Sequence, residues 1–444
     1  MRIRKAPYRP RGGVRPLYRK QLAASREIVA APLPERFVVS MAQHVGAPAE
    51  PAVKKGDRVL RGQLIGRPHG FVSAAVHAPT SGVVEDLGTC TTPAGRVAAC
   101  VIIESDGADH SAPPLVAEGE WEHLDDEKLV SLVAQAGIVG MGGAGFPTHV
   151  KLSPPPGTRI DTLILNGAEC EPYLTADHRL MVERADDLRR GMEVVSAILR
   201  PDSVSLAVED PGLARGMSAP FARCGEHVQA VVLRRAYPQG AEKQLIRAVT
   251  GRVVPSGGLP AQVGVLVLNV GTVCAIWDAV GRGLPLTERV VTVTGIPVGL
   301  PSNVSARIGT PFSFLIDFCG GLDNASAKVV CGGPMMGLAQ SSFDVPVIKT
   351  TSGLVALPDD ETPLYSSTPC ISCGRCVEAC PMGLMPNMLG RFLESEDYRS
   401  AAAWNVSDCI ECGCCAYQCP SHRPLVQLLR RGKAEASALT RAAG

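Results

Sequence analysis

Eight of the sixteen cysteines fall into two runs of identical spacing. Cys370, Cys373, Cys376 and Cys380 are followed by Pro381, and Cys409, Cys412, Cys415 and Cys419 by Pro420. Each run reads C-x2-C-x2-C-x3-C-P. Three thiolates on one tight loop can hold three iron corners of a cubane, while the fourth, placed before a proline, reaches the neighbouring cluster. The spacing therefore predicts two [4Fe-4S] clusters. One would rest on Cys370, Cys373, Cys376 and Cys419, the other on Cys409, Cys412, Cys415 and Cys380. A structural zinc site is the plain alternative. Zinc takes four ligands from paired C-x2-C knuckles and has no use for a third cysteine at that spacing, twice. Cys414 lies inside the second run and, next to Cys415, reads as a bystander.

A second constellation lies near the middle of the chain. Gly140, Gly142, Gly143 and Gly145 crowd a six-residue loop that runs on through Phe146 to Lys151. Glycines there let backbone N–H groups approach a phosphate or a flat ring closely, and Lys151 can complete the charge match. A tight turn is the competing explanation. The apolar run Thr162 to Leu165 ends at Asn166, Glu169 and Glu171. Polar residues at the carboxyl end of a buried parallel strand are where α/β folds bind ligands. Further on, Gly240 and Glu242 open a helical pattern. For Glu242 the simpler reading is an acid that complements a helix N-terminus.

These sites need domains to carry them. The chain has 444 residues, 45% hydrophobic, 20% charged, with net charge +1. That suffices for about three globular domains and shows no bias toward nucleic acid. Cluster cysteines must stay reduced, which favours the cytoplasm over a secreted setting. No signal peptide is expected. The most apolar stretch, Val263 to Val280, contains Asn269 and Asp278 and divides at Gly271 into a strand and a helix, so it reads as core and not as a membrane span.

In chain order, residues 1–35 form a basic N-terminal arm, with eight Lys or Arg in the first twenty positions and no acid. It reads as a solvated, loosely ordered arm, or as a strap across a partner or an anionic membrane. Residues 36–110 alternate short apolar runs with Gly and Pro turns, the pattern of a small β-sandwich or barrel. They resemble a lipoyl-like barrel-sandwich domain, but the hairpin 70–77 carries no lysine to modify, so His77 reads as structural. Residues 127–287 alternate strands and helices around a mostly parallel sheet. Residues 288–352 contain a strand at Val290 to Gly295 and another from Lys328 into a tight loop. In residues 360–432, the segment Leu384 to Tyr398 looks like one amphipathic helix between the cysteine runs, and a further helix follows Pro424.

The Gly-rich loop and the Asn166 segment resemble the two flavin-site motifs of the complex I NADH-binding flavoprotein family. The resemblance implies that Gly140, Gly142, Gly143, Phe146 and Lys151 line FMN. Asn166 would meet the ring edge, Glu169 and Glu171 would face ribose or nicotinamide, and Gly240 and Glu242 would complete the site. Met141 and Ala168 stand where that family has Arg and Asp. Residues 288–352 are similar to its soluble-ligand-binding β-grasp module, and the cysteine runs to two-cluster ferredoxins. The whole order resembles the C subunit of Rnf ion-translocating electron-transport complexes, a likeness also carried by the segments beginning at Gln43, Tyr237 and Val330. The implied fold is multidomain α/β plus β: a barrel-sandwich hybrid, a Rossmann-like FMN/NADH domain, a β-grasp domain and a helical ferredoxin-like domain.

The implied function is that of a peripheral enzyme subunit on the cytoplasmic face of the bacterial inner membrane. It would pass electrons between NAD(H), noncovalent FMN and two [4Fe-4S] clusters, with membrane subunits, a ferredoxin-like subunit and, indirectly, ferredoxin as partners. The residues agree with that set of parts. A hydride brings two electrons at once, a cluster takes one, and a flavin can stand between them. A cobalamin reductase of the diol-utilisation type is an alternative, but it places its Gly-rich loop at the very N-terminus, whereas here the barrel comes first. A non-catalytic electron-relay scaffold is the other.

Overall fold

The computed structural model describes every residue except 118, 120, 324, 325, 363, 364, 366, 367 and 444. Its centre is a five-stranded parallel sheet in the order Arg2–Lys5, Val228–Val232, Ser203–Val208, Thr162–Gly167, Val265–Asn269. The strand Thr162–Gly167 is sheathed on both faces, and Leu163, Ile164 and Leu165 are all fully buried. A strand covered on both sides must be apolar at consecutive positions, which explains why this run does not alternate. Helices Ala185–Leu199 and Val270–Arg282 pack on one face through Val195, Val273 and Ile276. Helix Glu242–Thr250 covers the other through Leu245, Ile246 and Val249. All strands run the same way, so their carboxyl ends, and the loops leaving them, gather along one edge.

The N-terminal arm is not loose. Arg2–Lys5 pairs in parallel with Val228–Val232 and supplies the outermost strand of the sheet. The chain then crosses toward the cysteine domain, where Gly13 N–H donates to Ala379 O at 2.9 Å and Val14 N–H to Tyr237 O at 2.8 Å. Ile28–Ala30 finally adds a strand beside Ser302–Arg307 in the β-grasp sheet. The arm is thus a strap across its own chain. Sheet edges offer unpaired backbone groups, and the basic side chains find internal acceptors. Lys20 Nζ donates to the carbonyls of Glu169 and Leu174 at 2.6 and 2.5 Å, and Arg19 pairs with Glu361 at 2.7 Å.

The barrel-sandwich module consists of a four-stranded sheet built on the hairpin Gly82–Thr91 and Val97–Ser105, facing a smaller three-stranded sheet. Phe37, Ile65, Val76, Val101 and Ile103 fill the space between them. The β-grasp module is a mixed sheet centred on Gly353–Pro358 and Glu288–Gly295, closed by helix Phe312–Phe318. Lys349 fastens barrel, flavin and β-grasp modules together. It is fully buried, and its ammonium donates to Ala75 O and Gly137 O at 2.5 and 2.7 Å while its backbone N–H donates to Gln43. Burial lowers its pKa to about 7.

The segment between the cysteine runs is two helices, not one: Pro386–Glu394 and Tyr398–Ala403. Glu396 adopts a left-handed φ of 56° and breaks the first. The Asp397 carboxylate then accepts from Ser400 N–H at 3.0 Å and caps the second, a device amphipathic periodicity does not reveal. Both pack on the long helix Leu425–Ala443 through Leu389, Leu393, Ala401 and Leu429.

Candidate functional site: a flavin cleft against a pair of cysteine loops

The Gly-rich loop closes when Gly140 N–H donates to Phe146 O at 2.9 Å. Met141 N–H donates to the Thr272 hydroxyl at 2.9 Å and pins the loop to the start of helix Val270–Arg282. Asn269 caps that helix, its Oδ1 accepting from Gly271 and Thr272. A Cβ on Gly142 would come within 2.8 Å of the Asn269 amide, so only glycine fits there. Gly143 faces open space, leaving the outer surface of the loop free for a ligand.

Two further loops meet it at the carboxyl edge of the sheet. Lys151, on the short helix Thr148–Leu152, reaches Glu242 at 2.8 Å and also the Val267 carbonyl. Asn166 Nδ2 donates to Gly240 O at 2.9 Å, and its Oδ1 accepts from Ala168 N–H. A side chain at Gly240 would strike Ala168 O at 2.2 Å, so the close approach of the two loops depends on that glycine. Gly140, Gly142, Gly143, Phe146, Lys151, Asn166, Gly240 and Glu242 therefore converge on one cleft. Asn269 and Thr272 join them and were missed from the sequence. Their signal is an asparagine at the junction of an apolar strand and a helix.

Glu169 and Glu171 are engaged differently from the expectation that they meet ribose or nicotinamide. Glu169 accepts from the backbone N–H groups of Asp177 and His178 and caps the next helix, with Lys20 at 3.7 Å. Glu171 is enclosed. It accepts from Met335 and Met336 N–H at 3.1 and 2.9 Å and from Tyr237 OH at 3.3 Å. Burial pushes its carboxyl up to about 7. It ties the β-grasp loop to the flavin module.

The cysteine runs form two loops of matching shape. Ser372 and Gly374 in the first, and Glu411 and Gly413 in the second, all take left-handed φ, between 56° and 79°. Backbone N–H groups of Ser372, Leu384 and Glu411 point at the sulfurs of Cys370, Cys380 and Cys409, each at 3.4 Å. Such N–H···S contacts suit thiolates that carry metal. The thiols sort into two sets. Cys376 is raised first by burial and then by its neighbours Cys370, Cys419 and Cys373. Cys409 is pushed up to about 11 by burial, with Cys412 and Cys380 beside it. Cys380, Cys409, Cys412 and Cys415 line one cavity with Leu384, Ile410 and Val426. Each set draws its fourth cysteine from the opposite run. Among the described residues no three such side chains converge on a single ion; the thiols of Cys380, Cys409, Cys412 and Cys415 instead line a space. The residues present thus fit two cubanes.

The two sets differ in setting. Cys373 is exposed and Cys370 partly so, beside an exposed Ile371. The other set faces inward. Cys412, Cys414 and Ala379 form one apolar cluster with Cys170, Tyr237 and Val14. Cys170 in turn accepts from Gly240 N–H of the flavin cleft at 3.4 Å, and Gln244 donates to Pro381 O at 3.0 Å. Among the described residues no helix is long and apolar enough to cross a membrane.

Comparison with known proteins agrees with this architecture. Residues 8–108 match the RnfC barrel sandwich hybrid domain, 133–278 the Nuo51 FMN-binding domain, 290–339 the SLBB domain and 362–420 the 4Fe-4S dicluster domain. The NAD+-reducing [NiFe]-hydrogenase in the air-oxidised state shares the fold, with a TM-score of 0.50 at 20% identity over 64% of this chain and 55% of that one. The chain is 47% identical to the C subunit of the proton-translocating ferredoxin:NAD(+) oxidoreductase complex of Clostridium ljungdahlii, over 98% of this chain and 94% of that protein. It is 43% identical to the C subunit of the Na(+)-translocating complex of Acetobacterium woodii, over 97% and 98%. It is 44% identical to the C subunit of the ion-translocating oxidoreductase complex of Pseudomonas aeruginosa, over 94% of this chain and 54% of that longer protein. With such identity along nearly its whole length, the chain belongs to the RnfC family, the C subunits of ion-translocating ferredoxin:NAD(+) oxidoreductase complexes.

Proposed function

We propose that this chain is the subunit that exchanges electrons with NAD(H) in an ion-translocating ferredoxin:NAD(+) oxidoreductase complex, using FMN and two [4Fe-4S] clusters. The observation that carries the reading is the contact between the flavin cleft and one thiol set, through Cys170, Tyr237 and Cys414. FMN, when bound, supplies the conversion between two-electron and one-electron chemistry. The chain's own residues position and tune. Gly140, Gly142, Gly143 and Phe146 form the cradle, Lys151 offers positive charge, Asn166 and Gly240 shape the inner wall, and Glu242 is the carboxylate bordering the cleft. Glu169 and Glu171 act from behind, by fixing the loop that follows Asn166. Cys380, Cys409, Cys412 and Cys415 hold the inner cluster, and Cys370, Cys373, Cys376 and Cys419 the outer. The outer set opens on the surface, where a partner takes up or delivers electrons. That partner is a ferredoxin-like subunit, with ferredoxin reached through it, and the chain docks on membrane subunits at the cytoplasmic face. The modules run 36–110, 127–287, 288–352 and 360–432, with residues 1–35 as the strap.

The test uses the purified, cluster-loaded chain and an artificial acceptor. NADH should support reduction and NADPH should not, because a carboxylate beside the cleft favours a ribose hydroxyl over a phosphate. Acid precipitation should release the flavin into the supernatant. Lys151→Ala should lower flavin content severalfold and leave iron content near that of the parent. Equal rates with both nucleotides, or iron lost in parallel with flavin, would count against this assignment.

A further inference from the structure

A second cavity, of about 510 Å³, lies behind the flavin loop. Helices Ala176–Glu183 and Val270–Arg282 form one wall, and the β-grasp strands Glu288–Gly295 and Ser302–Arg307 form another. Met141, Asn269, Arg61 and Ser111 also line it. It shares Met141 and Asn269 with the edge of the flavin site but includes none of Gly140, Gly142, Gly143, Phe146, Lys151, Asn166, Gly240 and Glu242. The volume falls in the range of sites for small organic ligands, and junctions between domains are where such sites concentrate.

Its walls are rich in charge, and nearly every charge is matched. Arg184 bonds to Asp187 and Asp278, each at 2.7 Å. Arg282 bonds to the same two carboxylates at 2.6 and 2.5 Å. Arg61 and Arg307 share Asp109 at 2.7 and 3.0 Å. Arg289 is the exception. It is 8% exposed, and its Nε and Nη1 donate only to the backbone carbonyls of Val290 and Lys349. Among the described residues no carboxylate forms an ion pair with it, and its Nη2 has no acceptor. Asp177 lies in the same cavity, but its carboxylate accepts from Asn269 Nδ2 at 2.6 Å. Burial, then Glu169, pushes that carboxyl up to about 7 while the charge of Arg289 pulls it down, so the two groups attract each other without forming an ion pair.

A buried guanidinium without a paired anion is costly, and a bidentate oxyanion is the partner whose geometry it fits. We propose that this cavity is a binding site for a small oxyanion, a carboxylate or a phosphate, held by the free edge of Arg289. No step of electron transfer is needed for this binding, so it stands apart from the redox reading.

The experiment is titration calorimetry on the full chain loaded with flavin and clusters. Inorganic phosphate and succinate are the two probes, with sodium chloride at matched ionic strength as control. Saturable binding of one probe is expected, and which one binds distinguishes phosphate from carboxylate. Arg289→Gln should weaken it by about tenfold or more, the loss of a charge-assisted pair. Ala275→Leu adds methyl groups to the cavity wall while leaving Arg289 itself in place, and should weaken binding while flavin and iron contents stay unchanged. It keeps the test decisive if the Arg289 variant folds poorly. No saturable binding of either probe at millimolar concentration, or binding that the variants leave intact, would overturn the proposal.

Discussion

Cys414 shows how much a single side chain can matter in this molecule. From the sequence it is a spare cysteine beside a ligand. In the structure it is fully buried, lines the inner cluster's cavity, and approaches both the Cys412 sulfur and the Tyr237 carbonyl, the latter at 3.8 Å. A thiol has one hydrogen to give. Once Cys412 is a metal-bound thiolate it is the stronger acceptor, because charge strengthens a hydrogen bond. A hydrogen bond to a ligand sulfur stabilises the more negative, reduced cluster and raises its potential. Cys414→Ala should therefore make the inner cluster harder to reduce, by roughly threefold to tenfold in the reduced-to-oxidised ratio at fixed potential, the worth of one such bond. Redox titration followed by electron paramagnetic resonance would show one cluster shifted and the other unmoved. If neither moves, Cys414 is only packing. Cys414→Ser keeps a donor and should restore most of the shift.

At the scale of elements, the N-terminal strap is the feature with the clearest consequence. It lends a strand to the flavin sheet and another to the β-grasp sheet, and between them it lies against Ala379 and Cys380 at the end of the first cysteine run. Gly12 makes this crossing possible. Its φ is +59°, and a Cβ there would sit 2.7 Å from the carbonyl carbon of Cys380. Gly12→Ala would meet a left-handed penalty of about 1–2 kcal/mol and would also push on the backbone that carries an inner-cluster ligand. The expected outcome is a chain that keeps its flavin but loses iron faster in air and in mild denaturant. Iron and flavin contents measured along one denaturation series would separate the two. Simultaneous loss of flavin and iron at the parent's midpoint would show that the crossing carries no such load.

At the scale of the whole molecule, the cysteine runs cross. Cys380 stands with the second run and Cys419 with the first. Crossing ties the halves of the domain together, since metal binding is folding free energy and each cubane then staples both loops. Cys419→Ala should damage the outer cluster, the one held by Cys370, Cys373 and Cys376, before it touches the inner one. Spectroscopy of the two clusters in that variant decides the matter, for if the cluster on Cys409, Cys412 and Cys415 is the one lost, each run keeps its own four cysteines. The order of the clusters also follows from the assembly. The inner set packs on Tyr237 of the flavin module, and the outer set reaches solvent at Cys373.

The parts of this protein are legible in its primary structure. The cysteine spacings, the glycines from Gly140 to Gly145, the apolar strand ending at Asn166 and the Gly240–Glu242 turn are local patterns. Each is set by what one short stretch can do with its own backbone, so each can be read without a partner. What a side chain faces across the molecule depends on the folded chain. Glu169 and Glu171 read as ligand contacts because they follow a strand end, yet backbone N–H groups from other segments claim them. The basic arm reads as solvated because its first twenty residues hold no acid, yet its acceptors lie at Glu169, Leu174 and Glu361. Asn269 and Thr272 join the flavin cleft, and Arg289 is buried with no ion-paired carboxylate among the described residues, only when segments far apart in the chain come together. Local backbone geometry is written in neighbouring residues, whereas the pairing of charges and the shape of a cavity depend on surfaces that meet only after folding.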